Sequence, residues 1–157
     1  MRRAVRRAVL VGAVLSLVAV AAWAATNRRD CYSNAVMEAD LAVKFQAQLM
    51  VLSDVCRDTT YGSFTQRNRD AIIKYQRQMI DHFRREGKGR ADVVFENYMT
   101  HLANEAALLS GRRSMVENCQ TNELIPLANS FGTSADMRAY FAAQVATQRA
   151  SFLACKD

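Results

Sequence analysis

The sequence predicts an all-α fold: an up-and-down bundle of four main helices with a short extra helix, stapled by two disulfides. Three observations predict it. Pro126 is the only proline among 157 residues, and good helix formers such as Ala, Leu, Met, Gln and Arg are abundant. Apolar residues recur at spacings of three and four over four long segments, and no segment sustains the period-2 alternation of a strand. Four cysteines follow an N-terminal segment that reads as an export leader.

The leader comes first. Arg2, Arg3, Arg6 and Arg7 precede an apolar run from Ala8 to about Ala22, broken only by Gly12 and Ser16. Ala22-Trp23-Ala24 then supplies the small residues of a cleavage site. A basic region, an apolar region and an A-x-A site make a secretory signal peptide over residues 1–24, with the cut after Ala24 or Ala25. As an uncleaved anchor the run would reach only the lower limit of a bilayer span, roughly 17 to 25 residues. No cysteine stands at the cut, so a lipoprotein is not expected. Arg6-Arg7 with Val9-Leu10 lacks the flanks of a twin-arginine signal, so the general export route is expected. Residues 25–157 then form one domain, long enough for a real core.

Cleavage changes the charge. The whole chain carries 21 Lys+Arg against 15 Asp+Glu, a net of +6; without the four leader arginines it is 17 against 15. The basicity therefore belongs mostly to the leader and is no nucleic-acid footprint.

The first helix is expected over about Ser33–Cys56, with Ala35, Leu41, Ala42, Phe45, Leu49, Leu52 and Cys56 as one apolar stripe and Ser33 as its cap. Thr59, Thr60 and Gly62 interrupt the pattern over 57–63. The second helix is expected over Phe64–Glu86 on a stripe of Ile72, Tyr75, Met79 and Phe83, with Gly87 placed for a left-handed cap. The third spans about Arg90–Ser110, its stripe Val94, Phe95, Tyr98, Leu102, Ala106 and Leu109. Residues 112–133 are less regular, with a short helix around Asn122–Asn129 that tolerates Pro126 in its first turns. The last helix is expected over Ser134–Cys155, capped by Ser134, with Met137, Tyr140, Phe141, Val145, Phe152 and Leu153 apolar.

Cys31, Cys56, Cys119 and Cys155 are an even set in an exported chain and read as two disulfides. Cys31 and Cys56 bracket a continuous helix that would hold them about 37 Å apart at 1.5 Å per residue, and a disulfide needs Cα atoms within about 7 Å. In an up-and-down bundle Cys31 and Cys155 fall at one end and Cys56 and Cys119 at the other. The expected pairs are Cys31–Cys155 and Cys56–Cys119.

Little in the sequence points to chemistry. GxSxG, SxxK, HExxH, CxxC and CxxCH are missing, so neither an enzyme nor a metal or haem cofactor is expected. His82 and His101 fall on different levels of neighbouring helices and should not share a metal. Met37, Met50, Met79, Met99, Met115 and Met137 are dispersed, as core filling rather than a copper cluster. Gly87-Lys88-Gly89 lacks the spacing of a phosphate loop. Two interaction patches stand out. One is the basic turn Arg84, Arg85, Lys88 and Arg90, suited to an anion or acidic partner; the other is the aromatic loop with Tyr61 and Phe64 beside Cys56.

The segments Leu49–Cys56 with Tyr61, His82-Phe83-Arg84-Arg85, and Tyr98-Met99-Thr100-His101-Leu102-Ala103-Asn104 resemble exported helical proteins of Gram-negative bacteria. The likeness covers roughly residues 45–120 and implies a periplasmic placement, with no catalytic residues to carry over. The functional expectation is a non-enzymatic periplasmic module that binds another protein or envelope component. Nucleic acid is not expected as a partner, and a membrane only through an uncleaved leader. The alternative is a small-ligand carrier or enzyme with its site inside the bundle, in a cavity of roughly 300 Å³ or more.

Overall fold

A computed structural model describes residues 31–87 and 89–155. The leader expected over 1–24 and Lys88 of the basic turn lie outside the described residues.

The first helix, α1, spans Asn34–Cys56, and the Ser33 side chain accepts from the Val36 N–H at 3.3 Å. Its last turn closes through Arg57 in the left-handed region, φ 53°. The single stripe expected for this helix is corrected. Ala35 is exposed and Leu41 half-buried, while Val36, Met37, Ala39, Val43 and Ala47 are buried on other faces. The reason is position: α1 packs against six later helices, and a helix covered on several sides buries residues all round.

The expected second helix is two helices, α2 over Thr60–Arg67 and α3 over Arg69–Glu86. The segment 57–63 was expected to be irregular, but Asp58 starts α2: its carboxylate accepts from the Thr60 N–H at 2.8 Å and from the Ser53 hydroxyl. Asn68 marks the break between α2 and α3. Its fully buried side chain donates to the Phe64 carbonyl at 3.0 Å, alongside the backbone bond to the same oxygen. Such local side-chain bonding competes with a regular helix. Gly87 caps α3 with φ 70°, as expected.

The next helix, α4, spans Ala91–Gly111. Its buried face steps through Phe95, Leu102 and Ala106 to Ser110, which leaves Leu109 on the flank, 49% exposed, against expectation. A short helix that the sequence reading passed over, α5, spans Met115–Cys119 behind a capping box of Ser114 and Glu117. The expected short helix is α6, Leu124–Ser130. The last helix, α7, spans Ser134–Gln148, and its cap is Thr133 with Asp136, one residue before the expected Ser134. It ends well before Cys155. A 3₁₀ turn over Arg149–Ser151 leads into extended chain, so Tyr32 can exchange backbone bonds with Leu153 (2.8 Å) and Cys155 (3.1 Å). Leu153, expected on the apolar face, is 69% exposed for that reason.

The core gathers around Phe45 of α1, whose ring meets Phe64 at 5.6 Å, Phe131 at 5.9 Å and Phe141 at 5.6 Å. Both α4 and α7 pack on α1, as does α3, and α3 also packs on α4 and α7. Arg67 donates to the carbonyls of Ala128 and Phe131, both at 3.4 Å, and ties α2 to the end of α6. The fold is all-helical among the described residues. Its disulfides are Cys31–Cys155 and Cys56–Cys119, with Cα separations of 4.8 and 5.5 Å, the pairing expected from the sequence.

Candidate functional site

The residues singled out in the sequence do not come together. The basic turn follows His82, whose ring lies 4.7 Å from that of Tyr32, so it belongs to the Cys31–Cys155 end. Arg84 is bonded to Asp81, and Arg90 to Asp92 at 2.6 Å, so two of its cations are offset locally. Tyr61 lies at the Cys56–Cys119 end, half-buried, its N–H donating to Ser53 Oγ at 3.2 Å. Phe64 is wholly buried between Phe45 and Phe131 and is corrected from a surface contact to a core residue. The short α2 turns its apolar residue inward because Asp58 starts the helix there. His82 is buried and 3.3 Å from Glu86, whereas His101 is exposed and 3.2 Å from Glu105. Met37, Met79 and Met137 fill the core; Met50 and Met115 are at the surface.

Inside the bundle a chain of polar side chains ties α1 to its neighbours. Asp40, 2% exposed, accepts from the Tyr98 hydroxyl of α4 and from Lys44 at 2.7 Å. The Tyr75 hydroxyl of α3 donates to Glu38 at 2.6 Å. Burial, and then the adjacent carboxylate, push both phenols far above the ordinary tyrosine range. These groups satisfy one another and line none of the surface hollows described next. They act as struts between helices.

The hollows lie at the Cys56–Cys119 end. A groove of about 1180 Å³ opens between the last turns of α1, the start of α2 and the end of α4. Its lining includes Met50, Val55, Arg57, Tyr61, Arg113 and Met115. Asp58 also lines it. Burial works to raise that carboxyl, but the bonds from Ser53 and Thr60 hold it below the usual carboxylate range. A second hollow of about 610 Å³ adjoins the first, and Ser110 and Asn118 line both. Both hollows are on the surface, whereas the carrier alternative placed its site inside the bundle.

Above the groove stands the corner joining α4 to α5. Leu108 (65%), Leu109, Met115 (60%) and Val116 (51%) are exposed there, on either side of exposed Arg112 and Arg113. The sequence reading missed this corner. Its signal was the run Leu108-Leu109-Ser110-Gly111-Arg112-Arg113-Ser114-Met115-Val116, where two apolar pairs straddle two arginines with no acidic residue. The corner is firmly built. Asn118, buried under it, donates to the Ser110 carbonyl at 2.9 Å and the Arg113 carbonyl at 3.5 Å. Glu117 accepts from the Ser114 N–H and hydroxyl at 2.7 and 2.8 Å, bonds that lower its carboxyl below the usual range. Cys119 fixes the far end of α5 to α1.

Fold and cross-links together define a disulfide-stapled all-helical domain of an oxidising compartment, whether periplasmic or extracellular. No helix among the described residues is long and apolar enough to cross a membrane. No family model matches the chain, and no curated protein or solved structure matches it, so the likeness over residues 45–120 gains no support from them.

Proposed function

We propose that this chain is an exported, non-enzymatic helical module that works by contact with another protein or component of the bacterial envelope. Residues 1–24 act as a cleaved leader, and the mature domain resides in the periplasm as an up-and-down bundle. The order is supported by one contact of α1, Tyr98 with Asp40, and by two of the chain just before it, Tyr32 with His82 and Cys31 with Cys155.

One observation carries the functional reading. Four of the seven exposed large apolar side chains among the described residues, Leu108, Leu109, Met115 and Val116, share one corner, held rigid by Asn118 and by Cys56–Cys119. Contiguous exposed apolar surface marks contact sites more often than it marks nothing. The test is a photo-cross-linking residue placed at Met115 or, as a control, at Arg84 of the opposite end, in living cells. A discrete protein or lipid adduct from Met115, and none from Arg84, is expected. Equal adducts from both positions, or none from Met115, would refute the reading. The carrier alternative draws on the 1180 Å³ groove. It ranks second because the groove is open to solvent and its Ser53 and Asp58 are bonded to each other.

A further inference from the structure

We propose that the α4–α5 corner is a membrane-docking tip that seats on an anionic lipid surface. The inference rests on the reading of that corner as the contact end and names what it contacts.

Leu108, Leu109, Met115 and Val116 are exposed on two helix ends and the turn between them, and Met115 also rims the groove. Exposed apolar side chains at such an edge fit the boundary between headgroups and acyl chains, which an amphipathic element enters by roughly 5–10 Å. Between the apolar pairs sit Arg112 and Arg113, placed to meet phosphate as Leu108 and Met115 enter the interface. The nearest acidic residue along the chain, Glu117, is held in the Ser114 capping box at the base of the tip. Across the groove, exposed Arg57 stands between exposed Asp54 and Asp58, so the cations that face the lipid are Arg112 and Arg113.

The tip is also preformed. The Arg112 and Arg113 amides close back on the carbonyls of Leu109 (3.3 Å) and Ser110 (3.1 Å), and Asn118 clamps the turn from below. Little ordering is left to be done on docking, which favours shallow, reversible seating by a few side chains. Among the described residues of the other end, Asp81 and Asp92 offset Arg84 and Arg90.

The experiment uses the full chain with its only tryptophan, Trp23, replaced by Phe. A single reporter Trp is then placed at Leu108, or at Val93 near the start of α4 as a control. Each protein is mixed with vesicles of phosphatidylcholine alone or with 30 mol% phosphatidylglycerol, the latter also prepared with brominated acyl chains. Leu108→Trp should shift to the blue and be quenched by brominated lipid in the phosphatidylglycerol vesicles, and Val93→Trp should not. Arg112→Gln with Arg113→Gln should weaken partitioning about 30-fold, given roughly a factor of five for each cation near an anionic surface. Reporters quenched equally at both positions would assign any binding to the leader and overturn the proposal. So would a Leu108 reporter that stays unquenched, or partitioning unchanged by the arginine substitutions. If the Met115 cross-linker captures a discrete protein while the vesicle assay fails, the contact reading stands and the lipid assignment falls.

Discussion

Tyr98→Phe removes one hydroxyl and nothing else, and it tests whether the polar struts hold α4 to α1. That hydroxyl donates to Asp40, whose side chain is 3% exposed and, among the described residues, has Lys44, at 2.7 Å, as its other donor. A hydrogen bond to a charged group contributes about 1.5–3 kcal/mol, more than a neutral one, because a buried carboxylate is expensive to leave under-solvated. Water has little access to Asp40, so about 2 kcal/mol is expected. At about 2.1 cal/mol/K per residue over a domain of roughly 130 residues, that lowers Tm by about 7 °C. Tyr75→Phe is the internal comparison. Its partner Glu38 is only half-buried, so water can take over the bond and about 1 kcal/mol is expected. Urea unfolding followed by far-UV circular dichroism measures both, with an unchanged m-value as the sign that only the folded state is altered. A Tyr98→Phe loss below about 0.5 kcal/mol, or one no larger than that of Tyr75→Phe, would refute the claim that burial sets the strength of these struts.

Other predictions follow from the same contacts. Tyr75 and Tyr98 keep protons in the folded state that the unfolded chain releases near pH 10, so stability is whole below that pH and falls above it. The double Phe variant should show a flatter decline in urea midpoint between about pH 10 and 11.5, and parallel curves would discard the linkage. Replacing Cys31 and Cys155 by Ala should cost about 5 kcal/mol by chain entropy, and replacing Cys56 and Cys119 about 4 kcal/mol. The sequence separations of 124 and 63 set that order, and a clear reversal in chemical denaturation would show that native-state terms dominate. Thr133→Ala should cost about 1 kcal/mol and Ser134→Ala close to nothing, since Thr133 makes the capping bonds. Equal losses in thermal melts would restore Ser134 as the cap.

Much of the scaffold was legible because helical spacing and cysteine geometry are local or nearly so. The lengths of α1 and α4 followed from apolar spacing, and the disulfide pairing followed from how far a helix carries the chain. The errors have specific causes. Apolar residues on every face of α1 were read as a single stripe, although Val36, Met37, Ala39, Val43 and Ala47 already lay off it. The break at Asn68 depends on a buried side-chain bond to Phe64 that no period reveals. The early end of α7 depends on Tyr32, more than a hundred residues away, capturing Leu153 and Cys155. Thr133-x-x-Asp136 and Ser114-x-x-Glu117 were visible in the sequence as capping boxes and were passed over. The corner was missed because Leu109 completes the apolar stripe of its helix on paper. Only the packed bundle shows that Ser110 takes the inward place and Leu109 turns out.

The two ends of the bundle differ in a way that folding alone does not require. At the Cys31–Cys155 end the chain seals itself. Tyr32 packs on His82 and Phe152 and bonds to the returning C-terminal segment, and carboxylates offset Arg84 and Arg90 of the nearby turn. At the Cys56–Cys119 end the same devices hold the backbone, but the turn they order presents Leu108, Leu109, Met115 and Val116 around Arg112 and Arg113. Asn118, Glu117 and Cys119 all fix a turn whose Leu108, Met115 and Val116 contribute little to the core they are attached to. A buried asparagine and a disulfide spent on ordering exposed leucine and methionine make physical sense if the order serves something outside the domain. Stability of the domain itself would be served as well by a polar turn, and solubility better.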